Sequence, residues 1–138
     1  MIQFKRLADD ARLPVRATEG SAGFDLYCTI RADIAPGHRM LLPTGIAAAL
    51  PPGTCGQIWP RSGIAVHHGI DRLAGLIDAD FRGEIQVSLV NHGHETVSIR
   101  PGDRIAQLVV TPYLAEAVEV EELDETWRAE GAFGSTGV

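Results

Sequence analysis

Polar and apolar residues alternate along two stretches of the chain, and short apolar runs separate most of its turns. The alternation at residues 84–89 (EIQVSL) and 117–121 (AVEVE) predicts half-buried strands, because successive side chains of a strand point to opposite faces. Shorter apolar runs predict further strands at residues 40–42, 46–50, 57–59, 96–99 and 105–110. Helical periodicity is confined to residues 62–68, shortly after Pro60, which suits a helix entry. The pattern therefore predicts an all-β fold with one short helix.

Turn signals recur at short intervals between these runs. They are Pro36-Gly37, Pro51-Pro52-Gly53, Ser62-Gly63, Asn91-His92-Gly93 and Pro101-Gly102-Asp103. Many short strands joined by such turns indicate a β-sandwich, a jelly roll or a small barrel. The length of 138 residues, with 45% hydrophobic residues, suits a single domain with its own core.

Composition excludes several classes of function. A net charge of -6 argues against duplex nucleic acid as a partner, since that binding needs many cations against phosphates. No apolar run is long enough to span a bilayer, and we expect a cytoplasmic protein without a membrane partner. Cys28 and Cys55 match neither a CxxC pair nor a disulfide framework, so we expect two reduced thiols.

Three segments carry candidate chemistry. Asp78 and Asp80 flank Ala79, and on a strand they would share one face, where they could hold Mg²⁺ or activate water. Taken alone, such a pair beside a glycine is more often a solvated turn than a site. Pro60-Arg61-Ser62-Gly63 opens the helical segment and places a cation, a hydroxyl and free N–H groups where an anion could bind, although it also fits an ordinary turn.

Other polar residues are less specific. Gln107 stands in an otherwise apolar strand, where a buried amide needs a partner. Arg128 precedes a glycine-rich tail whose Gly131, Gly134, Ser135 and Thr136 could wrap phosphates with N–H groups, and Phe133 is unusual for a frayed end. The adjacent His67 and His68 lack further ligands at zinc-like spacing, so we expect no metal there.

Five of these segments, in order along the chain, resemble the five motifs of the trimeric dUTP pyrophosphatases. They are SAGFDLY, PRSGIA, GLIDADFRG, GDRIAQLV and RAEGAFGSTG. Each motif alone is modest, but all five in the family order across 138 residues form a specific pattern. The resemblance implies a distorted jelly-roll subunit, a homotrimer, and active sites at subunit boundaries. It also implies a core of about residues 1–126 and a flexible C-terminal arm of about residues 127–138 that closes over the nucleotide.

The implied reaction is hydrolysis of dUTP to dUMP and pyrophosphate, which removes dUTP and supplies dUMP for thymidylate synthesis. Asp78 resembles the general base that activates water for attack at the α-phosphorus, and Gln107 resembles the residue that places this water. Asp25 resembles the carboxylate that holds Mg²⁺ through water. Arg61, Ser62 and Gly63 would bind phosphate from an adjacent subunit.

The C-terminal arm and a hairpin within residues 69–83 would complete the site. Arg128 would reach the γ-phosphate, with Gly134, Ser135 and Thr136 beside it, and Phe133 would stack on uracil. Backbone groups within residues 69–83 would read the base. Phe81 takes the place of a Tyr that packs beneath the deoxyribose in relatives and rejects a 2′-hydroxyl.

The chain departs from the family pattern elsewhere too. Ala129 and Ala132 replace glycines of the arm, and Arg72 stands where some bacterial relatives have an Asn that contacts uracil, so its role stays open.

Two other functions remain open at this point. A dCTP deaminase shares the fold but needs a glutamate in the strand after the third motif, where this chain has Ser88. A nucleotide-responsive regulatory trimer would keep the site and act through partners, because a fold does not fix a function.

Overall fold

Two four-stranded antiparallel sheets and one two-stranded sheet form the protein, as a computed structural model shows; it describes residues 1–132 and 135. The strands are β1 (Gln3–Arg6), β2 (Phe24–Tyr27), β3 (Ala32–Ile34), β4 (Arg39–Ala49), β5 (Thr54–Pro60), β6 (Ile70–Leu73), β7 (Leu76–Ile77), β8 (Glu84–Asn91), β9 (Val97–Ile99) and β10 (Arg104–Pro112). The helix α1 spans Ser62–His68. This is the predicted all-β, jelly-roll-like architecture with one short helix.

The strand order shows which segments meet. One sheet runs β1-β4-β8-β6, the second runs β2-β10-β5-β7, and β3 pairs with β9. Every pairing is antiparallel. Strand β10 lies inside the second sheet, between β2 and β5, so residues from the beginning, middle and end of the chain become neighbours there.

The core lies between the two larger sheets. Alternate residues of β8, Ile85, Val87 and Leu89, are buried, and so are Leu26 of β2 and Leu108 of β10. This alternation is the one the sequence predicts for residues 84–89, because one face of β8 packs on apolar side chains. Apolar burial of this kind is the main force that holds the sheets together.

Most predicted strands are present, with two differences. The predicted strands at 40–42 and 46–50 belong to one strand, β4, whose pairing with β8 shifts register between Pro43 and Ala47. The predicted strand at 117–121 is wrong. Val118 and Val120 there are exposed, and none of the described strands pairs with the segment, so its alternation has no sheet to face.

Candidate functional site

The second sheet aligns three of the chain's distinctive polar and aromatic residues in one row. Gln107 of β10 is the register partner of Asp25 in β2 and of Trp59 in β5. Directly opposite residues of antiparallel strands project their side chains to the same face. Residues separated by more than 80 positions in sequence thus lie side by side.

A buried carboxylate lies at one end of this row. Asp25 is 9% exposed. The Nε of Arg61 lies 3.7 Å from Asp25 Oδ1, and the Nη1 of Arg104 donates a hydrogen bond of 3.3 Å to Asp25 Oδ2. A charge in this position needs such partners, since burying a lone carboxylate is costly. We call Asp25, Arg61 and Arg104 the arginine–aspartate cluster.

The cluster fits an ion held through water. A carboxylate oxygen has about two lone pairs, so each Asp25 oxygen can accept a water besides its arginine partner. Mg²⁺ usually keeps several waters and binds through one or two carboxylates plus substrate phosphates. Across residues 1–132 and 135, no three His, Cys, Asp or Glu side chains form a metal-binding group, and His67 and His68 are included in that finding.

Gln107 is held between two pieces of backbone. Its Nε2 donates to the carbonyl oxygen of Pro60 at 3.4 Å, which links it to the segment that precedes α1. On its other side lies Gly23, where an added Cβ would stand 2.4 Å from Gln107 Oε1. A glycine at this position therefore makes room for the amide.

The predicted phosphate-binding segment begins α1. Arg61 is the N-terminal cap residue, with extended backbone (φ -78°, ψ 134°), and no side chain caps the first turn. Ser62 and Gly63 are exposed, and nothing lies within 4 Å of the position of a Cβ on Gly63. The first backbone N–H groups of a helix have no partner within the helix, so these groups can bind an acceptor.

Asp78 lies on a turn. Strand β7 ends at Ile77, and Phe81 N–H donates to the carbonyl oxygen of Asp78 at 3.1 Å. Asp78 and Asp80 therefore lie on a solvated turn, as such a pair more often does, and not on one face of a strand. Both carboxylates are exposed and line one cavity of about 640 Å³ together with Tyr113.

Phe81 packs locally. Its ring lies over Gly83, where a Cβ would come within 2.7 Å of Phe81 Cζ. The Nη1 of Arg82 donates to the carbonyl oxygens of Ala79 and Phe81 at 2.7 and 2.9 Å and braces the same turn. The ring remains 42% exposed and presents a flat apolar face to solvent.

The two groups of predicted site residues line different cavities. Arg61 and Arg104 border a cavity of about 540 Å³ beside α1, whereas Asp78 borders the cavity near Tyr113. Neither set of lining residues includes a member of the other group. One chain thus presents two separate part-sites.

The C-terminal segment contributes a local turn. Arg128 Nε donates to the carbonyl oxygen of Gly131 at 3.0 Å, and Ser135 N–H donates to that of Ala132 at 3.1 Å. Ala129 adopts a positive φ of 43°, a left-handed conformation that glycine takes more readily. Phe133, Gly134 and Thr136 lie outside the described residues.

Two contributors were missed as individual residues. Arg104 lies within GDRIAQLV and Gly23 within SAGFDLY, but neither shows from sequence alone that it contacts Asp25 or Gln107. Two features of the sequence could have indicated them: an arginine just before a predicted strand and a glycine two residues before a candidate carboxylate. The contacts themselves depend on the register between strands.

No helix among residues 1–132 and 135 is long and apolar enough to cross a membrane.

Fold and site together define an all-β protein with cationic groups around one buried carboxylate and a separate exposed carboxylate turn. A family model described as dUTPase matches residues 9–137. The chain belongs to the dUTPase family.

Two curated relatives and one solved structure illustrate the similarity. A deoxyuridine 5′-triphosphate nucleotidohydrolase from Syntrophotalea carbinolica is 50% identical and covers 99% of this chain and 96% of its own length. One from Anaeromyxobacter sp. is 52% identical, with 91% and 87% covered. The solved structure of a dUTPase variant from Staphylococcus bacteriophage 80alpha, with dUpNHpp, has a TM-score of 0.92 at 27% identity and covers 100% and 99%.

Proposed function

We propose that this protein hydrolyses dUTP to dUMP and pyrophosphate at sites formed between subunits of a homotrimer. The observation that carries the proposal is the match over residues 9–137 to the dUTPase family, with deoxyuridine 5′-triphosphate nucleotidohydrolases about half identical to the whole chain. The location that we propose is the cytoplasm, as the sequence leads us to expect.

The separation of the two part-sites supports a site shared between subunits. Acid–base chemistry requires the base and the groups that bind the reacting phosphate to lie within hydrogen-bond reach of the same water. In one chain, Asp78 and Arg61 border different cavities. A second copy that places its Asp78 turn near the first copy's α1 would bring the two together, and closed rings of identical subunits are a common way to do so.

Asp78 has the exposure and attachment that a general base needs. It lies on an exposed turn braced by Arg82, so an incoming substrate can reach it. It would take a proton from the water that attacks the α-phosphorus. Gln107, held between Gly23 and Pro60, would orient that water from the adjoining subunit.

Local cations have to offset the charge of the substrate. The protein carries a net charge of -6 and dUTP close to four negative charges, so the overall field opposes association. Arg61 at the beginning of α1 and Arg128 of the C-terminal segment are the side chains that we assign to the phosphates. Mg²⁺, bound through water to Asp25, would supply charge neutralisation as pyrophosphate leaves.

The C-terminal segment would complete the site by closing over the nucleotide. We assign Phe133 to the uracil face, and Gly134, Ser135 and Thr136 to the phosphates, on the family resemblance. In the part of the segment that the structure describes, Ser135 N–H donates a hydrogen bond to the carbonyl oxygen of Ala132. Closure of this kind excludes water other than the attacking one.

A dCTP deaminase is disfavoured by one side chain. Ser88 lies in β8, and a serine hydroxyl cannot shuttle a proton as a glutamate carboxylate does. Release of ammonia from dCTP by the purified protein would revive this alternative.

The decisive experiment compares Asp78→Asn with Asp80→Asn, because both residues lie on the same exposed turn. Pyrophosphate release from dUTP, dTTP, dCTP and UTP would be measured for each, with and without Mg²⁺. We expect Asp78→Asn to lower turnover of dUTP by roughly a thousandfold while keeping the trimer and its binding of dUpNHpp. Asp80→Asn should stay within a few-fold of the unaltered protein. Near-normal turnover by Asp78→Asn would refute the assignment.

A further inference from the structure

The turn that joins β6 to β7 has an unusual backbone. Ala74 has φ 60° and Gly75 has φ 106°, so two consecutive residues adopt positive φ. A residue with a Cβ rarely does so, because the Cβ crowds the following carbonyl group. Ala74 therefore needs contacts from elsewhere to keep this conformation.

Arg72 supplies those contacts. Its Nη1 donates a hydrogen bond of 2.7 Å to the carbonyl oxygen of Ala74. Its guanidinium carbon lies 4.9 Å from the centre of the Trp59 ring, which is a cation–π arrangement. Its Cδ lies against Gly75, 3.3 Å from where a Cβ would stand. Arg72 thus fills the space between the turn and Trp59.

One donor of Arg72 has no partner in the described part of the chain. The Nε of Arg72 is buried and has no hydrogen-bond acceptor among the described residues. A buried donor without a partner opposes folding, and an apolar side chain of similar length would avoid the penalty. This cost offsets part of the stabilisation that the hydrogen bond to Ala74 and the stack on Trp59 contribute.

The turn is directly connected to the predicted base. Gly75 O accepts a hydrogen bond of 2.8 Å from Ile58 N–H of β5, and β7 pairs with β5 through only two residues before Asp78 follows. Trp59, the stacking partner of Arg72, is also the register partner of Gln107. Arg72 therefore ties the turn between β6 and β7, which precedes Asp78, to β5, the strand that lies next to Gln107.

We infer that Arg72 is a positioning residue for the reaction. With Trp59 it holds Ala74 and Gly75 in the conformation that fixes the direction of β7 and hence the place of Asp78. The inference rests on the proposed function, since it assigns Arg72 a part in the hydrolysis of dUTP. Arg72 acts through the backbone of Ala74 and Gly75 and, by way of that turn, through Asp78.

The test first removes the contacts that Arg72 makes with Ala74 and Trp59, and then removes the backbone strain at residue 74 that these contacts oppose. Arg72→Met keeps most of the side-chain volume and loses the donor and the charge, and Arg31→Met is the matched control at an exposed arginine outside the site. We expect Arg72→Met to lower kcat/KM for dUTP about tenfold, because small misplacements of reacting groups have large effects on rate. The midpoint of thermal unfolding should stay unchanged or rise.

Rescue distinguishes positioning from a general structural role. Glycine at residue 74 adopts positive φ without help, so Arg72→Met combined with Ala74→Gly should regain most of the lost kcat/KM. Arg72→Lys, which keeps a donor for Ala74 O and loses the planar stack, should lie between the unaltered protein and Arg72→Met. In a Trp127→Phe background, the emission of Trp59 should shift in Arg72→Met.

The outcomes separate the inference from the proposed function. Normal dUTP kinetics in Arg72→Met, or a loss that Ala74→Gly does not rescue, overturns the inference. If Arg72→Met does not fold, an Arg72→Lys variant with unaltered kcat/KM overturns it instead. If the unaltered protein does not hydrolyse dUTP, the proposed function fails and the inference that rests on it fails too, whereas hydrolysis by the unaltered protein with unaltered kinetics in Arg72→Met overturns the inference alone.

Discussion

A methyl group added at Gly23 should displace the amide that we assign to the attacking water. A Cβ built on Gly23 would lie 2.4 Å from Gln107 Oε1, 3.0 Å from Gln107 Cβ and 3.1 Å from Gln107 Cδ. Cβ atoms essentially never lie within 3.0 Å of a non-bonded heavy atom, so Oε1 must retreat by at least about 0.6 Å. The hydrogen bond from Gln107 Nε2 to Pro60 O is already 3.4 Å long and does little to resist the shift.

The expected loss follows from that displacement. A misplacement of about 1 Å can lower a rate about a hundredfold, so 0.6 Å predicts a loss of roughly ten- to a hundredfold in kcat/KM for Gly23→Ala. Because Gly23 does not have a positive φ, the substitution adds no backbone strain, and the loss of unfolding free energy should stay near 1 kcal/mol.

Pyrophosphate release and thermal unfolding, measured side by side, check this prediction. Gly20→Ala is the control, since nothing lies within 4 Å of a Cβ at that position in the same segment. Gly23→Ala should also have no further effect in a Gln107→Ala background, because the affected amide is then gone. A full additional loss in the double variant would show that Gly23 acts on something other than Gln107.

Three further predictions test other parts of the molecule. Deleting residues 128–138 should reduce turnover by at least about a hundredfold and leave thermal unfolding nearly unchanged, because a lid contributes little to the core; a lost cooperative transition would make the segment structural. Phe81→Tyr should increase discrimination against UTP relative to dUTP, measured as a ratio of kcat/KM values, and an unchanged ratio would exclude this ring from sugar selection. Burial raises the pKa of the Cys28 thiol above 9.0, so the folded protein keeps this proton at pH values where the unfolded chain loses it. The free energy of unfolding should therefore fall as pH rises past 9, and it should fall more in the unaltered protein than in Cys28→Ala.

The local pattern predicted all or part of β4, β5, β8, β9 and β10. Residues 84–89 alternate because Ile85, Val87 and Leu89 point into the core, and the same pattern at 117–121 misled because none of the described strands pairs with it. The pattern did not predict β1, β2, β3, β6 and β7, each of which has four residues or fewer, and β7 depends on its pairing with β5. Periodicity reports burial, whereas short strands depend on partners far along the chain.

The motifs named residues that the structure places side by side, but they did not predict the contacts between them. Asp25, Arg61 and Gln107 stand in three different motifs, and β10 brings them together by lying between β2 and β5. The pairing of Arg104 with Asp25 and the closeness of Gly23 to Gln107 depend on register. A one-residue slip in β10 would turn Gln107 to the opposite face, so the register itself is part of the site.

The positions of the two part-sites are the structural reason for proposing that the chemistry takes place between subunits. The arginine–aspartate cluster is fixed by β2, β5 and β10, and Asp78 follows β7 at the edge of the same sheet. Both are tied to β5, so neither can move to the other without breaking the hydrogen bonds of that sheet. In the proposed trimer, each subunit would present this edge to the cluster of another copy. In this proposal, Arg72 and Trp59 fix where the Asp78 turn lies relative to the arginine–aspartate cluster of the same subunit.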